Sequence, residues 1–88
     1  MKFGIFYEIS VPRPWGPETE REVYDNCIEQ AVLADKLGYD YVWAVEHHFL
    51  EEYSHCSAPE IFLATIAAKT EQIHVGHGIN VCVPEINH

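Results

Sequence analysis

Residues 42–55 read VWAVEHHFLEEYSH, an apolar run that ends against Glu46, His47 and His48. Imidazole is the side chain most readily tuned for proton transfer near neutral pH, and an adjacent carboxylate can orient it or raise its basicity. Three readings of the trio are open. In the first, a histidine works as general acid or base, with Glu46 as a buried, hydrogen-bonded orienter. In the second, the histidines join His55 and Cys56 as ligands, since imidazole and carboxylate can hold zinc or iron. In the third, the trio is the polar end of a buried strand and satisfies backbone groups. Neighbouring strand residues point to opposite faces, so His47 and His48 reach one cavity only if the strand has ended before them. The spacing fits no local metal-ligand pattern, which puts proton transfer ahead of metal binding.

The elements that position these residues follow from hydrophobic periodicity. Residues 2–7 (KFGIFY) predict a first strand, followed by a loop punctuated by Pro12, Pro14, Gly16 and Pro17. A helix is predicted from Thr19, where Thr19 and Glu22 match the T-x-x-E capping box. Val23, Cys27, Ala31 and Ala34 give it one apolar face, and Gly38 ends it. Residues 41–45 (YVWAV) predict a second strand, apolar at every position as when both faces are covered. Ser57 and Glu60 repeat the capping box, with Pro59 in the first turn of a second helix. Its apolar surface is assigned to Ile61, Leu63, Ala64, Ala67 and Ala68. Residues 73–83 predict a third strand containing Gly76 and Gly78. The order βαβαβ implies an α/β fold with a parallel sheet and right-handed crossovers. In such folds chemistry gathers where the strands end at their C-terminal side. Glu46, His47 and His48 fall there, as do Glu8 and residues 79–85.

Other candidates carry competing readings. His74 reads as a strand histidine with a satisfied ring. His77 lies between glycines, where backbone can approach a ligand closely. Trp15 either lines a pocket for a flat ring or packs on its own prolines. Glu18, Glu20 and Glu22 complement the dipole of the first helix. Cys82 reads as a small core residue or a pocket wall.

The totals narrow the function classes. The 88 residues bound the chain at one domain, and 48% hydrophobic residues are too many for disorder. A net charge of -9, from 5 Lys+Arg against 14 Asp+Glu, argues against nucleic-acid or anionic-membrane partners. Cys27, Cys56 and Cys82 form no framework or CxxC pattern, so they read as reduced thiols in a cytoplasmic protein. The N-terminus is no signal peptide, and no apolar run approaches the ~18 residues of a membrane span. Three parallel strands would leave one face and both edges uncovered. Residues 1–88 are therefore expected to be the N-terminal part of a single barrel of roughly 250 residues.

Three stretches carry a family resemblance: MKFGIF at the start, ADKLGYDYVWAVEHHF in the middle and IHVGHGINVCVPEINH at the end. In this order, over residues 1–88, the chain resembles the bacterial luciferase-like family of flavin-dependent monooxygenases. The resemblance implies the N-terminal βαβαβ portion of a (βα)8 TIM barrel. It implies that the parent protein binds reduced FMN, or a deazaflavin in one branch, at the C-terminal mouth. There O2 and the flavin form a C4a-hydroperoxide that oxidises a small organic substrate such as an aldehyde. The family's E-H-H falls on Glu46, His47 and His48, which makes His47 the acid/base, with Glu46 beside it as a catalytic residue. Gly78, Ile79 and Asn80 are the implied cofactor-binding residues. The family places an unusual cis peptide there, at Gly78–Ile79 or Ile79–Asn80, which would cost ~3–4 kcal/mol. His48, Glu8 and Cys82 are the implied substrate-pocket residues, and no metal is expected. A flavin reductase is the expected partner, and the full-length protein is expected to be a dimer. Asn87 and His88 resemble the start of the family's N-H-P turn. The VCVPEINH segment and the Pro-rich loop differ from the luciferases proper, so a substrate other than theirs is expected. Two alternatives stand beside this reading: a metal-dependent barrel hydrolase or isomerase, and an inactive partner subunit of a flavin monooxygenase. The E-H-H pattern favours an active subunit.

Overall fold

Five elements form in chain order in a computed structural model that describes residues 1–86. They are β1 (Gly4–Tyr7), α1 (Thr19–Lys36), β2 (Tyr41–Val45), α2 (Pro59–Lys69) and β3 (His74–Ile79). The strands make one parallel sheet in the order β1-β2-β3, with Gly4 opposite Tyr41 and Tyr41 opposite His74. The predicted βαβαβ arrangement is present. The Asn87–His88 turn lies outside the described residues.

Both helices cover the same face of the sheet. Tyr7, Val42 and Ala44 pack with Cys27, Ala31 and Ala34 of α1 and with Phe62, Leu63 and Ile66 of α2 in one core. Full burial of each large apolar side chain stabilises the fold by roughly 1.5–3 kcal/mol. The Tyr7 ring meets Phe62 edge-on at 5.4 Å, and its hydroxyl donates to the Cys27 carbonyl at 3.0 Å. That contact ties β1 to α1 across 20 residues of sequence. On α2 the buried stripe is Pro59, Phe62, Leu63 and Ile66, an i, i+3, i+4, i+7 row. Ile61, Ala64, Ala67 and Ala68 are exposed, which corrects the face assigned from the sequence. The opposite sheet face carries Phe6 and Trp43, and Trp43 is 38% exposed. The continuous apolar run of β2 is therefore covered along its helix side, and on the opposite face Val45 at its C-terminal end is also fully buried.

The helix boundaries hold, while their caps differ from the predicted boxes. Glu18 is the N-cap of α1, and the Thr19 hydroxyl instead accepts the Gly16 N–H at 2.7 Å. Ala58 caps α2 without a side-chain hydrogen bond, so Ser57 lies one residue too early for its box. Gly38 takes φ +85 after α1, where a side chain would be strained. Asp35 anchors the start of the third βα unit, accepting the backbone N–H groups of Gln72, Glu71 and Ile73 at 2.9–3.0 Å. These donors, Gln72 first, hold its carboxyl below the usual carboxylate range.

β3 is shorter than predicted. Ala44 pairs with His77 and Val45 with Ile79, so Gly78 is an extra residue in a bulge and the ladder ends at Ile79. A glycine inside a strand commonly marks such a bulge. The expected cis peptide is also corrected. Among the described residues the cis bond is Arg13–Pro14, and Gly78–Ile79 and Ile79–Asn80 are trans. The departure from regular strand geometry at this point is the bulge itself.

Candidate active site at the strand ends

β2 stops at Val45, so His47 and His48 lie beyond the strand and are free of its two-face alternation. They turn to different carboxylates. The Glu46 N–H donates to the Ile79 carbonyl at 3.1 Å, and its side chain is buried, with the residue 4% exposed. Glu46 Oε1 accepts the Val81 N–H at 3.1 Å, and Oε2 lies 2.7 Å from His48 Nε2. With Glu46 ionised its carboxylate can only accept, and Nε2 of His48 is then the donor of this bond. Glu46 thus joins the end of β2, His48 and the segment after β3. The His47 N–H donates to the Cys56 carbonyl at 2.9 Å, and its ring sits edge-on to Tyr53 at 5.9 Å. Its Nε2 lies 3.6 Å from Glu8 Oε2.

Glu8 is brought to His47 by a zipper between the β1–α1 and β2–α2 loops. The Ser54 hydroxyl donates to the Glu8 carbonyl, and the His55 N–H donates to the Ile9 carbonyl at 2.8 Å. The Ser10 hydroxyl donates to the Tyr53 carbonyl at 2.7 Å, and the Val11 N–H to the Glu52 carbonyl at 2.9 Å. Arg13 adds ion pairs to Glu51 and Glu52 at 3.2 and 3.5 Å. Two non-glycine residues in this region are left-handed: Ile9 at φ 57 and Phe49 at φ 62. That conformation costs an L-residue about 1–2 kcal/mol, most clearly a β-branched one. Ile9 follows Glu8 directly, and Phe49 follows His48, so the strained backbone flanks the candidate residues. Neither was visible in the sequence, because isoleucine and phenylalanine give no signal for positive φ.

Trp15 packs on its own loop. Its indole N–H donates to the Val11 carbonyl at 2.8 Å, and the Arg13 guanidinium stands 3.8 Å from the ring centroid. The edge of His55 meets it at 5.6 Å. His55 is held by Glu20 at Nδ1 and by the Glu51 carbonyl 2.6 Å from Nε2. The Glu20 hydrogen bond and then the Glu51 carbonyl raise its pKa, because both favour the doubly protonated ring. Cys56 is fully buried, and burial pushes its thiol up to about 11. Among the described residues no group of three or more His, Cys, Asp or Glu is arranged to hold a metal ion.

Gly78, Ile79 and Asn80 lie at the end of β3. A Cβ on Gly78 would stand 2.8 Å from Phe6 Cε2 and 3.3 Å from Val45 Cγ1, so the missing side chain lets the Phe6 ring lie against β3. Phe6 and Ile79 are both exposed. Phe6, on β1 two residues before Glu8, and Ile79 give the strand ends an apolar surface whose chemistry suits a planar ring. Cys82 lies past the strand and is exposed, which corrects its reading as a core residue. It shares a cleft of about 380 Å³ with Glu46, Glu60, His77 and Asn80. His74 is exposed, with its ring tilted against Tyr41 at 5.7 Å.

The chain is similar in sequence and fold to known proteins. The family model described as luciferase-like monooxygenase matches residues 1–84. The chain is 30% identical over 78 residues to the oxygenase component of the flavin-dependent trigonelline monooxygenase of Acinetobacter baylyi, covering 89% of this chain and 21% of that protein. Among solved structures, apo-MsnO8 is 39% identical with a TM-score of 0.74, over 88% of this chain and 22% of that one. The oxygenating constituent of the 3,6-diketocamphane monooxygenase of Pseudomonas putida, in complex with FMN, is 25% identical with a TM-score of 0.74. That match covers 88% of this chain and 20% of the other. The chain spans about a fifth of the length of the curated relatives it matches.

Proposed function

The chain belongs to the luciferase-like monooxygenase family, and on that premise we propose that the whole protein is a flavin-dependent monooxygenase acting on a small organic substrate. The observation that carries this reading is the grouping of Glu8 and His47 at the strand ends, beside the apolar surface of Phe6 and Ile79. Gly78, Ile79 and Asn80 are the residues that would stand against the ring system of FMN. When bound, reduced FMN supplies the two electrons with which O2 yields one oxygen atom to the substrate and one to water.

His47 is the acid/base in this reading, its ring at the strand ends 3.6 Å from the Glu8 carboxylate. Glu46 holds His48 and the segment after β3 in place, so that the wall made by residues 78–80 keeps its position. Glu8, His48 and Cys82 border the substrate. A relative described as an oxygenase component supports a separate reductase as the source of reduced flavin. The three free thiols suit a cytoplasmic protein. No helix among the described residues is long and apolar enough to cross a membrane.

The test pairs reductase-supplied FMN with a panel of aldehydes, ketones and aromatic acids. Product formation is expected only with both reduced FMN and O2. His47→Ala is expected to lose roughly 10²–10⁴-fold in turnover, the usual contribution of a positioned acid/base, while still binding the flavin. Unchanged turnover in His47→Ala would remove His47 from the chemistry.

A further inference from the structure

We propose that Glu8 is the positioning residue of His47: its carboxylate fixes the imidazole with Nε2–H turned toward β1 and leaves Nδ1 as the nitrogen that exchanges a proton. The inference rests on His47 being the acid/base. It assigns the orienting role to a residue 39 positions away rather than to the adjacent Glu46. Glu46 is already committed, since Oε2 meets His48 and Oε1 accepts the Val81 N–H.

Three observations converge on Glu8. Its Oε2 is buried and accepts no hydrogen bond from the described residues, although a buried carboxylate oxygen is stable only when it receives donors. The ring nitrogen His47 Nε2 lies 3.6 Å away, slightly beyond hydrogen-bond range. Catalytic hydrogen bonds are often long before a ligand closes the site, and a small rotation of either side chain completes this one. Finally, the backbone of Glu8 is pinned independently of its side chain. Ser54 donates to its carbonyl, and the left-handed Ile9 that follows has its own carbonyl held by the His55 N–H. A β-branched residue held at positive φ directly after Glu8 is local strain of the kind kept where a side chain must be placed, here the carboxylate facing His47. His47 is pinned in turn by the Cys56 carbonyl and by Tyr53. The hydrogen bond made by one imidazole nitrogen sets which nitrogen keeps the proton, so a carboxylate at Nε2 selects the Nε2–H tautomer.

The test reads the tautomer directly, in the whole protein before flavin is added. Long-range ¹⁵N–¹H correlation spectra at a pH where the ring is neutral are expected to show His47 as the Nε2–H form. Glu8→Leu is expected to mix or reverse the tautomers. It should also lower kcat by about tenfold or more, short of the full loss in His47→Ala, and by a larger factor than any rise in KM from the lost substrate contact. Glu8→Gln keeps an acceptor of the same shape and is expected to restore most of kcat and the tautomer. An Nδ1–H form in the unsubstituted protein overturns the proposal without any variant having to fold. A Glu8→Leu protein with the original tautomer and kcat overturns it as well. Failure of His47→Ala to lose activity would sink the acid/base role instead, and the tautomer would still report on Glu8.

Discussion

Ser54→Ala removes one hydroxyl from the zipper that brings Glu8 to His47. Ser54 is 2% exposed, and its hydroxyl donates to the Glu8 carbonyl. Without it the carbonyl loses its side-chain donor, and an unsatisfied buried acceptor costs about 1–3 kcal/mol. The void left by an oxygen atom is too small to admit a water. The carbonyl itself is only part-buried, so the expected loss lies in the lower part of that range, about 1–2 kcal/mol. The bonds from His55 N–H to Ile9 and from Val11 N–H to Glu52 persist, so the loops stay joined and the effect is local. Urea unfolding followed by circular dichroism reads the loss as a shift of midpoint at constant slope. Turnover separates position from stability. Ser54→Ala should lower kcat in the original background and have little effect on top of Glu8→Leu, because both act through one carboxylate. A stability change within about 0.3 kcal/mol, below the range expected for a lost buried bond, would refute the reasoning. So would the same fractional loss of kcat in both backgrounds.

Other outcomes follow from the same packing. Ile66→Ala, at a fully buried position facing the sheet, should destabilise by about 2–5 kcal/mol in the same urea assay, whereas Ile61→Ala on the exposed side of α2 should cost little. His55 has a raised pKa through Glu20 and the Glu51 carbonyl. Its contribution is therefore fully present below the unfolded value of about 6.5 and is lost as pH rises through the folded value. Limited proteolysis of residues 50–57 should accelerate across that window and should do so less in Glu20→Gln. Asp35 has a depressed pKa through the Gln72 and Glu71 N–H groups. It stabilises above about pH 4, and that contribution disappears as pH falls further. Asp35→Asn should show a weaker acid dependence of stability than the unsubstituted protein.

Much of the fold was legible because its signals are local. The five-residue run Tyr41–Val45 after the Gly38 turn gives β2 without error, and the breakers Pro17 and Gly38 bracket α1. The capping boxes misled because both patterns occur one residue away from the true cap, where Thr19 is already helical and bonds Gly16. The buried face of α2 was misread in favour of small residues. The 59-62-63-66 row has equally good helical spacing, and only the position of the sheet chooses between them. β3 was drawn too long because Val81–Val83 continues the apolar pattern beyond the bulge at Gly78. At the site, the separation of His47 and His48 depended on where β2 ends, and the sequence posed that question without answering it. The Glu8–His47 approach and the Ser54–Glu8 bond join residues 39 and 46 positions apart. They depend on two loops meeting over a parallel sheet, and no spacing rule encodes that.

The most direct measurement is an anaerobic titration of the whole protein with reduced FMN, followed by mixing with O2 in the presence of substrate. Saturable binding of one reduced flavin per chain is expected, with oxygen then transferred to the substrate in the unsubstituted protein and not in His47→Ala. A folded protein that binds no reduced flavin, or a His47→Ala variant that transfers oxygen at the original rate, would contradict the assignment of this site.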